Sequence, residues 1–467
     1  MFRMSSYPIS GGYQGLKIEY GSDKKQNMYM CSSPLRIKSS SLSASPSPSD
    51  SDQAVSQQSH PLLIVEPEVD EDDNDLIRFA DSPNNTYVRT NDKLPKEVND
   101  AICIGSSHGW LAYISRRDCS IFLWNPFITS PDPSSLISLP TIDTLPHVTV
   151  VPLGESGYCD GAYCSSTTSN ISRSAYEDEF SPDFNFKVEY KEGVVGFKGR
   201  GDYIISPNEL SIYFMRKIVL SSAPTSDDCV VVALPHRQHN PSIAFCKPGD
   251  KSWTFVEPIK EFSRIEDVIH FKDNLFYTVS FGGTTIVAYD LADLSSPKSY
   301  FLKASFNFKL PCFASHGIRS WSPVTKHYLV ESLGNLLWVR RFISSHVDDR
   351  ANMVYDEEVE FPYRTTMFDV YTLDFARNTW DYTECIGDQV LFLGTNQSLS
   401  LSARDCPGFK ANNIYFTDDS RSIHFDSYPY GGNDLGRYDL ELQITSSDFN
   451  RDYEKVLPPP IWVPNLQ

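Results

Sequence analysis

Residues 267–280, DVIHFKDNLFYTVS, followed by residues 284–291, TTIVAYDL, decide the fold. Two apolar runs flank the turn residues Lys272, Asp273 and Asn274, and a third run stops at Asp290. Runs of four to eight residues rich in β-branched and aromatic side chains, broken by Asn, Asp or Gly, read as consecutive antiparallel strands joined by tight turns. The grammar recurs towards the N-terminus in AICIG (101–105), WLAYIS (110–115), SIFLWNP (120–126), YFMRKIVLSS (213–222), DCVVVALP (228–235), SIAFCKPGD (242–250) and SWTFVEP (252–258). It recurs towards the C-terminus in KHYLVESLGNLLWVRRFI (326–343), MFDVYTLDFARNTWDYTECIGDQVLFLG (367–394) and NNIYFTDD (412–419). A weak repeat of roughly forty to fifty residues, each with about four strands, is the signature of a β-propeller blade. The expected fold is therefore all-β, a propeller of six or seven four-stranded blades over residues 62–465. A sandwich would exhaust its strands sooner.

The bulk composition agrees. Of 467 residues, 40% are hydrophobic and 13% aromatic, with 25 Tyr and 28 Phe, so the chain carries enough apolar surface for a real core and favours strands over helices. A formal charge of −19 repels phosphate backbones and anionic lipid surfaces, which argues against nucleic acid and membrane partners. No run approaches the roughly 18 apolar residues of a spanning helix. Met1 to Tyr20 has no apolar core of a secretory signal. The 10 Cys are neither dense nor regularly spaced, and those inside apolar runs, such as Cys103 and Cys229, read as buried thiols.

Outside the repeat, residues 1–61 form a Ser-rich tail expected to be disordered, because SSSLSASPSPSDSDQAVSQQS cannot bury enough surface to offset its ordering entropy. Arg3, Lys17, Lys24, Lys25, Arg36 and Lys38 give its start a basic bias compatible with a transit peptide, and Ser33, Ser45 and Ser47 stand before prolines as phosphorylation candidates. The compartment is thus the cytoplasm or nucleus, or, if the start is a transit peptide, a mitochondrion or chloroplast. The acidic run Glu66–Asp75 has Asp70, Asp72 and Asn74 at calcium-ligand spacing but Asp75 and Asp81 where an EF-hand needs Gly and Glu, so it reads as a solvated charge run. Residues 154–183 break the strand grammar and read as a long polar loop between blades.

These motifs, taken with SSHGWLAY and FLWNPF near residue 110, RKIVLSSAPTSDDCVVVAL, AFCKPGDKSWTFV, YLVESLGNLLWVRR and the ending LPPPIWVP, resemble the KIB-type β-propeller family of land plants, a domain of unknown function with F-box and kelch-like relatives. The match covers most of residues 75–465 in the family's order. The resemblance implies a protein-binding propeller that holds a client, which in F-box members is passed to a ubiquitin ligase. Residues 1–60 lack the helical pattern of an F-box, so a ligase adaptor is not expected as a partner. Bottom-up, Gly109 permits a tight turn before Trp110, and Trp124, Trp253 and Trp380 fall near strand ends where blades pack on each other. Gly249 and Asp250 form a hairpin turn after Pro248, and Ile461 and Trp462 are expected to cap the barrel from outside after the prolines 458–460.

A search for chemistry finds no G-x-S-x-G elbow, P-loop or dinucleotide fingerprint; GFKGRGDY (196–203) has the wrong spacing. Cys159 and Cys164 lack a second ligand pair, and His236 and His239 lack a third ligand, so no metal is expected. His108 reads as bonding the backbone between strands, and Asp418 and Asp419 as satisfying turn amides. No catalytic residue, cofactor or metal site is assigned and no enzyme is expected. Two functions stand. In the first, a non-enzymatic propeller holds a protein client through loops bearing exposed aromatic and Arg side chains such as Arg340, Arg341 and Arg364. In the second, the central channel holds a small ligand or a hydrolytic pair among the 60 Asp and Glu.

Overall fold

The structure, a computed structural model, describes residues 61–69, 75–81, 86–89, 94–98, 100–128, 135–146, 148–152, 184–188, 203–235, 242–256, 264–307, 324–344, 363–420, 431–446, 456 and 459–464. The Ser-rich tail, Cys159 and Cys164, and His236 and His239 lie outside them. The described strands form seven sheets, all in the unit that runs from Pro48 to Gln467. The first blade is ordered Ile461–Val463, Leu62–Val69, Asp75–Asp81, Thr86–Arg89, and the second Ala101–Ser107, Trp110–Ser115, Ile121–Trp124, Leu136–Leu139. The third is Met215–Leu220, Val231–Pro235, Ala244–Cys246, Thr254–Phe255, and the fourth Ile265–Phe271, Leu275–Ser280, Thr285–Asp290, Lys298–Lys303. The fifth runs Val324–Ser332, Asn335–Ser344, Arg364–Asp374, Thr379–Tyr382, with Ser305–Asn307 added outside it in parallel. The sixth is ordered Leu399–Ser402, Gln389–Leu393, Asn413–Phe416, Gly436–Asp439, Ile444–Ser446, and its second and third strands are also parallel. The antiparallel grammar therefore holds except at these two pairings.

Of the seven sheets, six are blades. The remaining one, Tyr203–Ile205, Phe184–Val188 and Val148–Pro152, lies to the side. The inner strands of the second and third blades meet directly, since the Leu220 amide donates to Ser107 Oγ at 3.2 Å and Gly105 lies against the Ile218 backbone. Val148, Phe186, Val188 and Ile205 of the lateral sheet enter the same apolar core as Ile104 and Ala112 of the second blade and Ile218 and Val231 of the third. Residues 154–183, expected to form a long loop between blades, lie outside the described residues; the strands on either side of them pair with each other, Pro152 standing opposite Phe184. The short helix Pro207–Tyr213 leads into the third blade, with Ser206 capping the Glu209 amide and Glu209 three residues on, as in a capping box.

Ring closure corrects one expectation. Ile461 and Trp462 do not cap the barrel from outside. They belong to the first blade, where Leu62, Leu63 and Ile64 pair antiparallel with Val463, Trp462 and Ile461. Trp462 is fully buried against Val390, Phe392, Cys406 and Phe409 of the sixth blade, while Ile461 and Val463 face Leu111, Tyr113 and Trp124 of the second. The two ends of the propeller sequence thus share one sheet. The acidic run is likewise not only a solvated stretch: Glu66–Val69 and Asp75 lie in paired strands, Val69 opposite Asp75.

The tryptophans sit where the sequence puts them. Trp110 joins the core of the second and third blades, Trp253 Nε1 donates to the Pro140 carbonyl at 2.8 Å, and Trp380 Nε1 reaches from the fifth blade to the Gly283 carbonyl of the fourth. Gly109 has φ of 77°, as its turn demands, and the Lys247 amide donates to Asp250 in the hairpin after Pro248. Replacing Trp462 by Ala is expected to cost about 3–5 kcal/mol, the range for a large buried aromatic, in urea denaturation. A side chain capping the barrel from outside would cost far less.

Candidate functional site

The polar residues of the inner strands bind neighbouring blades to one another. Asp267 on the fourth blade receives Lys217 Nζ of the third at 2.6 Å on one carboxylate oxygen and the Leu329 amide of the fifth at 2.7 Å on the other. All three groups are buried, so the cost of desolvating the two charges is offset by their contact with each other and by the Leu329 amide on the second carboxylate oxygen. Beside it, Arg216 donates to the Ile265 and Glu266 carbonyls at 2.7 Å each, and Arg264 pairs with Glu266. Burial pushes the Glu266 carboxyl up, against the pull of Arg216 and Arg264.

Next to these ion pairs lies a column of stacked side chains. Arg264 Cζ sits 4.5 Å from the centroid of Phe281, whose ring meets His327 edge-on at 5.6 Å. His327 lies parallel to Trp338, 5.4 Å away at 11°, and Arg340 Cζ covers Trp338 at 5.3 Å and Tyr371 at 5.1 Å. Arg340 is itself held by Asp369 and by the Tyr371 hydroxyl at 2.8 Å. The turn after Phe281 makes room for this column. A methyl group on Gly283, where φ is 70°, would lie 2.7–2.8 Å from the Trp338 ring. Phe281 is 51% exposed and Val324, on the same end of the neighbouring blade, is 63% exposed. No motif had singled out Phe281; an aromatic followed by two glycines was the available signal.

Arg341 overturns an expectation. Instead of reaching solvent, it is fully buried between the fifth and sixth blades, donating to Thr365 Oγ1 at 2.6 Å, the Thr417 carbonyl at 2.8 Å, and Asp434 at 2.9 Å. Burial works against its charge, but Tyr328, Asp434 and Asp419 outweigh it and raise its pKa. Arg340 is mostly enclosed and Arg364 half-buried, so none of the three is the freely exposed anchor anticipated. Asp418 does satisfy amides, those of Ser420 and Gly432, and also accepts from Tyr363; burial and the Asp434 carboxylate push it up to about 6. Asp419 binds side chains rather than the turn amides expected of it, accepting from Lys326 Nζ at 2.5 Å and the Tyr328 hydroxyl at 2.9 Å.

This end of the propeller differs from the other. The strands flanking residues 236–241, 257–263, 308–323, 345–362 and 421–430 all begin or finish here. At the opposite end most inner hairpins close in a few residues, at His108–Gly109, Lys272–Asn274 and Leu333–Gly334. His108 there bonds the Leu220 backbone, as its sequence context suggested. An open cleft of about 510 Å³ at that end is lined by His270, Lys272, Asp273, Asn274 and Glu331. Among the described residues no group of His, Cys, Asp or Glu could hold a metal ion, and no helix is long and apolar enough to cross a membrane.

A family model described as the KIB1-4 beta-propeller matches residues 77–439. The chain belongs to this family. Among curated relatives, F-box protein SKIP23 of Arabidopsis thaliana is 26% identical over 236 residues, 47% of this chain and 51% of that protein. An F-box/kelch-repeat protein of the same plant is 26% identical over 226 residues, 47% of this chain and 52% of its own length. The chain spans about half the length of the curated relatives it matches. Among solved structures, a protein from Lactobacillus plantarum aligns over 86% of this chain and 99% of its own at 9% identity with a TM-score of 0.32, a level that adds nothing to the fold. The family model stops short of Leu62–Ile64 and Ile461–Val463, the strands that close the ring.

Two outcomes follow for this KIB1-4 propeller. Arg341→Met leaves Asp434 without its buried cation and Asp419 with Lys326 alone, and should lower stability by about 3–5 kcal/mol in urea at neutral pH; adding Asp434→Asn should recover part of it. His327, whose two nitrogens have no hydrogen-bond partner, is pushed down to about 3 by burial and by Arg340, Arg264 and Arg216. With the folded pKa below the free value of 6.5, the stabilisation is complete above pH 6.5 and is lost as the pH falls towards 3. The wild-type chain should therefore lose up to about 1.4 kcal/mol per pH unit more than His327→Phe between pH 6.5 and 5, measured by urea titrations.

Proposed function

We infer that this propeller is a non-enzymatic holder of a protein client, and that the client docks on the end bearing Phe281 and Val324. One observation carries the reading: an exposed aromatic ring backed by a fixed stack. Phe281 is flanked by Arg264 on its face and by His327, which is itself stacked on Trp338, so it is presented with little rotamer freedom left to lose on binding. The end that bears it also launches the longer connections of the fold, the segments that carry recognition in proteins of this architecture. The names of the curated relatives, F-box proteins, support a role in protein interaction.

Against the hydrolytic alternative, three buried carboxylates of the fourth and fifth blades are committed to structure. Asp267 holds Lys217 and Leu329, Glu266 holds Arg264, and Asp369 holds Arg340.

The test is affinity capture with the tagged full-length chain from Arabidopsis extract, comparing wild type with Phe281→Ala and Val324→Asp, and with Leu333→Ala and Leu442→Ala as controls at the opposite end. A stoichiometric partner whose recovery falls at least tenfold in the first pair and not in the second supports the reading. Loss in the second pair alone moves the site to the other end. Ligase adaptors among the captured proteins would restore the F-box-type role.

A further inference from the structure

Lys298–Lys303, sequence KSYFLK, is the outermost strand of the fourth blade, and no other described strand lies beyond it. It pairs along its whole length with Thr285–Asp290, and its residues are exposed or half-buried, Tyr300 at 53% and Phe301 at 41%. The orientation of its backbone follows from one hydrogen bond. The Ala304 amide donates to the Thr284 carbonyl at 2.9 Å, and Thr284 continues the register in which Lys303 faces Thr285. In an antiparallel ladder hydrogen-bonded and non-hydrogen-bonded pairs alternate. Leu302, Tyr300 and Lys298 therefore bond inward to the blade, while Ser299, Phe301 and Lys303 turn their N–H and C=O groups outward. The neighbouring blades end differently: the third in the two-residue strand Thr254–Phe255, and the fifth under the added strand Ser305–Asn307.

We propose that Lys298–Lys303 is a docking edge for an extended acidic segment of a partner protein, which adds to the fourth blade as a fifth strand. The outward backbone groups of Ser299, Phe301 and Lys303 supply the main-chain hydrogen bonds, and Tyr300 and Phe301, on opposite faces, supply cross-strand contacts for β-branched or aromatic side chains. Charge selects the occupant. A second copy offers this strand no acid, since KSYFLK has none, and in a two-fold antiparallel pairing outward residues meet outward ones, Ser299 opposite Lys303 and Phe301 opposite itself. An incoming strand with Asp or Glu at positions five apart meets both ammonium groups instead. Asp290, opposite Lys298 within the blade, is engaged by the Ala292 amide of its own loop. Lysines on an edge also serve to discourage aggregation, so the test must separate recognition from mere protection. This inference is independent of docking at the Phe281 end.

The probe is a fluorescently labelled peptide with the sequence Glu-Val-Thr-Val-Thr-Glu, titrated with the full-length chain by anisotropy, alongside its Lys-ended counterpart. Saturable binding of the acid-ended peptide, at least tenfold tighter than the Lys-ended one, is expected. The double variant Lys298→Glu/Lys303→Glu should reverse that order. Phe301→Pro removes an outward amide without touching a bond to Thr285–Asp290, and should abolish binding with the melting temperature little changed. Should that variant fold poorly, the same peptide N-methylated at alternate residues gives the equivalent readout on the unaltered protein. Equal binding of both peptides, no saturation, or undiminished binding of the N-methylated peptide would overturn the proposal. Dimerisation of the wild-type chain in sedimentation that Phe301→Ala abolishes would overturn it in favour of a second copy.

Discussion

Everything in the propeller depends on three residue pairs: Leu62 with Val463, Leu63 with Trp462, and Ile64 with Ile461. A blade buries both faces only if it has neighbours on both sides, so an open arc would leave apolar faces on its two terminal sheets. The chain solves this by building the first blade from both ends of the propeller sequence. Trp462 then seals the seam on the side of the sixth blade, while Ile461 and Val463 seal it on the side of the second.

Within the closed ring, polar side chains do what apolar packing cannot, which is to fix how one blade meets the next. The Asp267 carboxylate spans three blades, because its two oxygens accept from Lys217 and Leu329. Arg341 does the same between the fifth and sixth blades through Asp434, Asp419 and the Thr417 carbonyl. Buried charges are costly unless fully partnered, so these contacts stabilise only the one arrangement in which every partner is present. The column from Arg264 to Arg340 is set on this frame, and the rigidity of Phe281 at its exposed end derives from it.

The two ends of the ring are consequently unlike. One end is closed by short hairpins, with left-handed residues at Asp273, Asn274, Leu333 and Gly334. The other end combines an exposed aromatic anchor, buried cations just beneath it, and the departure points of the longer connections.

The sequence by itself determined the local elements, because strand periodicity, turn residues and tryptophan placement act over a few neighbours. Runs such as DVIHFKDNLFYTVS and the glycines at 109 and 249 settled strands and turns without reference to the rest of the chain. The family resemblance, carried by those same runs, was legible too. Tertiary structure decided what depends on contacts between residues far apart in the chain. It put Ile461 and Trp462 inside the first blade, set the sheet of Val148–Pro152, Phe184–Val188 and Tyr203–Ile205 to the side so that six blades stand among the described residues, and drew Arg341 out of solvent. An arginine in an alternating strand reads as exposed until Asp419 and Asp434, contributed by another blade, are seen to enclose it. The candidate site is of this second kind, since Phe281, His327, Trp338 and Arg340 come together only when the fourth and fifth blades pack.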